Sequence, residues 1–296
     1  MPYFKDLLKE LTLWMKLSHP CILELYGVCL HEPYGYAIVS PWMEHGHMMS
    51  YLQSAPEANR LSIVLDIAQG LSYLHSFKPP IVHGDLKGVY VLIRPSGQAC
   101  LADFGLSRRL IATESNVSSG SSSACMPGNV RWMSPERIWP EKHGMTPAAS
   151  FSPAGDIWSY GMAIFECFSG KVPYYEIDNP WYVCENIQRG QLPQHPGSQA
   201  QLCGLSGGLW NVIRECWQQD RRNRPPTTEL LRKISTIVER NIVEADWVGR
   251  KSEDQEMHLY SGQHRPHRRI TGWTLALLHF PQVIIARSRS RRAPAQ

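Results

Sequence analysis

Two acidic residues, Asp85 and Asp103, flank a compact pair of strand patterns, and this segment constrains the fold more than any other. Lys87 stands two positions after Asp85. Residues 89–93 and 99–102 are apolar runs separated by a Pro-Ser-Gly turn, so they predict a short β-hairpin. A hairpin of that size brings both carboxylates to one end of the sheet. Two carboxylates and a lysine in one cleft suit a phosphate and its Mg²⁺, because this metal prefers hard oxygen ligands.

The same segment resembles the catalytic loop and the metal-binding Asp-Phe-Gly motif of the protein kinase family, and is closest to the tyrosine-kinase-like serine/threonine group. Three further motifs follow in the family's order. Ser134-Pro135-Glu136 resembles the end of the activation segment, residues 156–161 resemble the central buried helix, and residues 216–220 with Arg224-Pro225 resemble the turn near the end of the fold. The resemblance implies an α+β, protein kinase-like fold with a mostly helical large lobe and an incomplete small β lobe.

The first part of the chain, residues 1–43, is interpreted as a remnant of the kinase small lobe. Apolar residues at helical spacing predict a regulatory helix over residues 3–17. Strands are predicted over residues 22–29 and 36–39, and residues 40–46 resemble the hinge between the lobes.

The rest of the chain divides into a large lobe over residues 44–243 and a C-terminal tail over residues 244–296. Helices are predicted over residues 48–54 and 58–76, and in the segment from 128 to 240. The tail is expected to be disordered. An interfacial segment and a membrane span are the alternatives, because residues 270–286 are apolar but interrupted.

Composition narrows the class of protein. A chain of 296 residues with 43% hydrophobic residues can bury a substantial core, and a net charge of +4 is too small to indicate nucleic-acid binding. The eight cysteines occur without a Cys-x-x-Cys pair, which is typical of reduced thiols in a cytoplasmic protein. The expected partner is a protein substrate or a protein ligand, and a membrane is not expected.

The resemblance implies a role for each residue of the catalytic stretch. Asp85 would accept the proton of a substrate hydroxyl or orient that hydroxyl, and Lys87 would neutralise charge on the transferred phosphoryl group. A lysine at this place is the serine/threonine pattern of the family. Asp103 would hold the Mg²⁺ that bridges the phosphates of ATP.

Four residues are implied as nucleotide-binding. Pro41, which offers only its carbonyl, and Met43 would face the adenine ring from the hinge, with Leu92 beside them. Glu10 stands in place of the glutamate that pairs with a strand lysine in the family. The alternative is that Glu10 is a solvated charge on a helix surface.

Three departures from the family pattern predict impaired activity. Tyr90 stands in place of the asparagine that completes the metal site, no Gly-rich loop precedes the first helix, and no strand lysine is present to pair with Glu10. Losing one preorganised electrostatic contact costs about 10²–10³ in rate, so the combined loss is expected to exceed about 10⁵. The alternatives to an impaired serine/threonine kinase are a pseudokinase that serves as a binding or scaffold module, and an incomplete gene product.

Overall fold

A computed structural model of the chain describes residues 11–31, 35–103, 108–109 and 129–256. The described residues form two compact units. The larger contains residues 11–23 and 43–237, and the smaller contains residues 24–42 and 238–256. The domain boundaries at 43/44 and 243/244 stay predictions, and the last described helix continues to Glu256.

The larger unit is predominantly helical, as expected for the large lobe of the predicted fold. Its helices are α1 (Met48–Ser54), α2 (Arg60–His75), α3 (Pro135–Ile138), α4 (Pro153–Ser169), α5 (Pro180–Gln188), α6 (Ser198–Leu202), α7 (Gly207–Cys216) and the first part of α8 (Thr227–Glu256). Single 3₁₀ turns cover Gly88–Tyr90, Val130–Trp132, Pro140–His143 and Arg221–Asn223. The helix predicted over 48–54 is confirmed, and the one predicted over 58–76 begins two residues later and ends one residue earlier.

The strands of the described residues form three antiparallel pairs. The smaller unit holds β1 (Gly27–His31) paired with β2 (Gly35–Val39). The larger unit holds β3 (Ile81–Val82) paired with β6 (Arg108–Arg109), and β4 (Val91–Ile93) paired with β5 (Ala99–Leu101). The prediction of one strand over residues 22–29 was wrong at its start, because residues 23–26 precede the ladder.

The predicted hairpin between the two acidic residues is confirmed as β4–β5, with Leu92 opposite Cys100. Its turn is closed by Arg94, whose N–H donates to the Gln98 carbonyl at 2.8 Å. Gly97 adopts φ 85°, which glycine reaches without a side-chain clash. The strand predicted over 89–93 is shorter than expected, because a 3₁₀ turn stabilised by a Tyr90 N–H bond to the Lys87 carbonyl occupies its first residues.

Helix α4 is the centre of the larger unit, and thirteen of its residues are buried. Ser152 caps its N-terminus by accepting a hydrogen bond from the Gly155 N–H, and Pro153 takes the first helical position, where a missing N–H costs nothing. Gly170 ends the helix with φ 68°. The burial on all sides explains why the apolar residues of this helix form a nearly continuous run instead of a stripe.

A buried ion pair ties α3 to the end of the larger unit. The guanidinium of Arg224 donates to both oxygens of Glu136, at 2.6 and 2.8 Å, and neither side chain is more than 1% exposed. Among the residues that the structure describes, none of the helices is long and apolar enough to cross a membrane.

Candidate active site

The catalytic loop is held in place by a buried carboxylate of α4. Asp156 accepts from the backbone N–H groups of His83 and Gly84 at 2.8 and 2.9 Å, and lies 2.8 Å from the His75 ring. Asp156 is 1% exposed, so these donors compensate the cost of burying its charge. The loop therefore leaves β3 in a fixed direction, which determines where Asp85 and Lys87 lie.

Asp85, Lys87 and Asn129 form one polar cluster. The Lys87 ammonium donates to Asp85 Oδ2 at 3.1 Å and to Asn129 Oδ1 at 2.7 Å. The Asn129 amide lies 3.4 Å from Asp85 Oδ2. Burial raises the pKa of Asp85, and the adjacent Lys87 opposes that shift. The cluster presents a carboxylate oriented by a cation and an amide, which is an arrangement that can accept a hydrogen bond from an alcohol.

Asp103 and Tyr90 lie next to this cluster. The Tyr90 hydroxyl donates to the Asp103 carboxylate, and burial together with the charges of Asp103 and Asp85 raises the pKa of the phenol. The Lys87 ammonium sits 4.3 Å from the centre of the Tyr90 ring, within cation–π range. Asp103 itself adopts φ 62°, a left-handed conformation that Asp tolerates better than most residues.

The structure thus brings together three residues that the sequence singles out for chemistry. Asp85 and Lys87 are in direct contact, and the charge of Asp103 acts on Asp85. Tyr90 stands between Asp103 and Lys87, interacting with both. Their catalytic and metal-binding roles remain predictions.

The residues present do not fit the expected Mg²⁺ site well. A hard divalent cation needs several oxygen ligands at short distance. The phenol at position 90 is a donor to the Asp103 carboxylate and cannot supply the short amide oxygen expected there. A cation at Asp103 would share the carboxylate with that hydrogen bond.

The structure describes three of the four predicted nucleotide-binding residues. Met43 is 4% exposed and its carbonyl accepts from the Gly46 N–H at 2.9 Å. Leu92 lies in β4 and is bridged to His47. Pro41 belongs to the smaller unit, whereas Met43 and Leu92 belong to the larger. Glu10 lies outside the described residues.

Sequence reasoning missed Asn129 and Glu166. Asn129 completes the cluster from 42 residues away, and nothing in the local pattern around it indicates a contact with Lys87. Glu166 accepts hydrogen bonds from the Gly88 N–H and the Trp132 indole N–H, each at 2.7 Å. A single acidic residue within the apolar run of α4 was the available signal, because a fully buried charge requires partners.

A carboxylate and a lysine on a loop held by a buried central helix, with a second carboxylate after a hairpin, are the arrangement typical of phosphotransferases of the protein kinase class. A family model of protein tyrosine and serine/threonine kinases matches residues 2–234, and the chain belongs to this family. Kinases of this family generally use ATP and Mg²⁺.

Individual relatives support the same assignment. The mouse serine/threonine-protein kinase TNNI3K is 33% identical over 231 residues, covering 76% of this chain and 25% of that protein. The tyrosine-protein kinase Btk of Drosophila melanogaster is 28% identical, covering 79% of this chain and 28% of that protein. The mouse tyrosine-protein kinase TXK is 31% identical, with 79% and 41% covered. The chain therefore spans less than half the length of each, and both acceptor classes occur among these names.

Proposed function

We propose that this chain is a serine/threonine-directed protein kinase domain whose phosphoryl transfer is strongly impaired. The observation that carries the proposal is the position of Lys87, which bridges Asp85 and Asn129. The cluster groups a carboxylate, an ammonium and an amide within hydrogen-bond distance of one another, which suits an aliphatic hydroxyl acceptor.

Each side chain of the cluster has a distinct task in this proposal. Asp85 orients the acceptor hydroxyl and takes its hydrogen bond, and burial favours a carboxylate that holds a proton more readily than one in water. Lys87 keeps Asp85 oriented and supplies positive charge where the phosphoryl oxygens pass. Asn129 fixes the Lys87 ammonium through its amide oxygen. The protein partner is a substrate carrying serine or threonine, and a cytoplasmic location is part of the proposal.

The second candidate function is that of a pseudokinase, a binding module without turnover. The observation that favours it is the hydrogen bond from Tyr90 to Asp103 at the place of the metal ligand. In this alternative the bond remains when nucleotide is present. The chain then keeps the residues that would receive a substrate hydroxyl and has a weakened site for the metal.

Phosphate transfer to matched peptides tests the proposal. Peptides that differ only in carrying serine, threonine or tyrosine are incubated with the chain, Mg²⁺ and labelled ATP. We expect incorporation about 10²–10³ below that of an active kinase because of Tyr90 at the proposed metal site, confined to serine and threonine, and abolished by Asp85→Asn. Incorporation into the tyrosine peptide, or rapid turnover that survives Asp85→Asn, would contradict the proposal.

Dependence of phosphate incorporation on Asp85 separates the two candidates, and a melting experiment reports whether the chain binds nucleotide at all. Ligands that bind only the native state raise its melting temperature, so Mg-ATP should produce a shift that scales with affinity. The pseudokinase alternative predicts no serine or threonine incorporation at any enzyme concentration. Residual incorporation that depends on Asp85 favours the impaired kinase.

A further inference from the structure

Glu166 is a buried carboxylate for which the proposed chemistry has no use. It lies in the second half of α4 and is 1% exposed. One of its oxygens, Oε2, accepts two hydrogen bonds, from the Gly88 backbone N–H and from the Trp132 indole N–H, each at 2.7 Å. Burying a carboxylate costs desolvation free energy unless hydrogen-bond donors compensate it. The two donors meet that need, and the segments they belong to indicate what the carboxylate does.

The two donors come from the two chain segments that form the polar cluster of Asp85, Lys87 and Asn129, which is called the acceptor cluster below. Gly88 directly follows Lys87, and Trp132 ends the 3₁₀ turn that begins right after Asn129. Ser159, also on α4, donates to the Trp132 carbonyl at 2.8 Å. Helix α4 therefore holds both segments, and its Glu166 side chain bonds to each of them.

We propose that Glu166 is a positioning residue that sets the spacing between Lys87 and Asn129, and that its ionisation tightens or loosens the acceptor cluster. The inference rests on the proposed function only in treating this cluster as the acceptor site. Hydrogen bonds to an ionised carboxylate are roughly twice as strong as neutral ones, so the charged form holds both segments more firmly.

The surroundings of Glu166 bring its ionisation into the neutral range. Burial raises its pKa to about 7, opposed by the bonds from Gly88 and Trp132 and by the charge of Lys87. Cys167 is adjacent on α4, and burial raises the pKa of its thiol to about 12, so it stays neutral. From α1, Met48 and Met49 approach Gly88 and carry no charge. Lys87 is thus the charged group that faces Glu166 from the catalytic loop.

The space around Gly88 shows why this contact is specific. A Cβ atom built on Gly88 would lie 3.1 Å from Glu166 Oε2 and 3.0 Å from the Met49 side chain. Both distances are shorter than ordinary van der Waals contact, so a larger residue would push the loop away from the carboxylate. Glycine at this position permits the N–H to reach Glu166.

A titration followed by NMR tests the proposal directly. The chain is labelled with ¹⁵N-tryptophan, the Trp132 indole signal is assigned by its loss in Trp132→Phe, and spectra are recorded from pH 5.5 to 8.5. In the wild-type chain we expect the Trp132 indole signal to move with a midpoint near pH 7. In Glu166→Gln, which keeps an oxygen acceptor without a charge, the same signal should stay flat.

The control is Glu185→Gln, which changes a surface carboxylate paired with Arg189 and should leave the Trp132 titration unaltered. Hydrogen exchange gives a second readout: at pH 8, Glu166→Gln should raise exchange about tenfold in peptides from both residues 83–92 and residues 129–135. A wild-type Trp132 signal that does not titrate overturns the proposal, even if Glu166→Gln fails to fold. So does a titration that persists in Glu166→Gln.

These measurements do not require turnover, so they can contradict the inference about Glu166 without contradicting the proposed function, and the reverse also holds. A chain that phosphorylates tyrosine yet shows the Glu166-dependent titration loses the proposed acceptor specificity and keeps Glu166 as a positioning residue. A serine/threonine-directed chain without the titration loses only the inference about Glu166.

Discussion

At the scale of single residues, Tyr90 is where the chemistry of this chain departs furthest from its family. Tyr90 places a ring and a donor where the resemblance to the family implies an amide. The ring interacts with the Lys87 ammonium and the hydroxyl with the Asp103 carboxylate, so one side chain connects the acceptor and cation sides of the site. Tyr90 therefore adds interactions of its own at the place where we propose that a metal ligand is missing.

A double-mutant cycle measures the bond between Tyr90 and Asp103. Tyr90→Phe removes the donor and keeps the ring, and Asp103→Asn removes the charge and keeps the shape. We expect a coupling free energy of about 1 kcal/mol, because both groups are partly solvated and a bond to a charged group is worth about 1.5–3 kcal/mol when fully buried. Urea denaturation of the four proteins provides the measurement, and additivity of the two single changes would show that the bond is absent in solution.

The buried Arg224–Glu136 pair lies outside the candidate active site, so its removal is predicted to change stability alone. Arg224→Met leaves the Glu136 carboxylate buried without its partner, so we expect a loss of about 3–5 kcal/mol in unfolding free energy. Lys233→Met is the control, since Lys233 contacts Glu229 and Glu215 near the surface and such pairs contribute about 0–1 kcal/mol. Equal losses in the two variants, measured by urea denaturation, would contradict the assignment.

The same pair gives a dependence on pH with a definite sign. Burial alone would raise the pKa of Glu136, but the bonds and charge of Arg224 outweigh it and leave the pKa lowered. A carboxyl group with a lowered folded-state pKa stabilises the fold above its ordinary pKa of about 4.5, and this contribution is lost as the pH falls below that value. We expect the wild-type advantage over Glu136→Gln to shrink between pH 5 and pH 3, followed by urea midpoints at each pH. An advantage that grows on acidification has the wrong sign for this assignment.

At the scale of elements, the close approach of α4 and α7 depends on the absence of a side chain. A Cβ on Gly161 would meet the Trp217 indole nitrogen at 2.6 Å and Cys216 Cβ at 3.0 Å. Glycine lowers helix propensity by about 1 kcal/mol relative to alanine, so its presence in the middle of α4 is explained by packing.

Two glycine-to-alanine changes separate packing from propensity. Gly161→Ala should destabilise the chain by about 1–3 kcal/mol, because overpacking outweighs the gain in propensity. Gly208→Ala, in α7, meets only Ser206 Oγ at 3.8 Å and should be neutral or slightly stabilising. Thermal melting of both variants checks the pair, and a stabilised Gly161→Ala protein would mean that the two helices are further apart than described.

Elements also show how far the sequence alone predicts this fold. The β4–β5 hairpin and α1 were predictable because each is specified by residues within a few positions of one another. The contacts of Lys87 with Asn129 and of Glu166 with Trp132 were not, since they join segments that only the tertiary fold brings together. The 3₁₀ turn at Gly88–Tyr90 was missed for a local reason: its apolar residues satisfy a strand pattern as well as a turn.

At the scale of the whole molecule, the two described units differ in how well their β-structure is covered. Strands β4 and β5 have side chains that are almost entirely buried, with exposures of 0–1% at Val91, Ile93, Ala99, Cys100 and Leu101. In β1, Val28 and Leu30 are 42% and 62% exposed. Both pairs are two-stranded and antiparallel, so they differ mainly in burial rather than in hydrogen-bond pattern.

This difference predicts unequal local stability, because a two-stranded ribbon with one exposed strand is marginal in water whereas a buried one opens only with its surroundings. Amide hydrogen exchange read by mass spectrometry should be faster in β1 than in β5 by about 10² or more, corresponding to at least about 2.8 kcal/mol in opening free energy. Peptides from α4 serve as the slow reference, since exchange there should follow the opening of the larger unit. Exchange in β1 as slow as in β5 would mean that the ribbon is covered in solution, and that its exposed valine and leucine have found a partner.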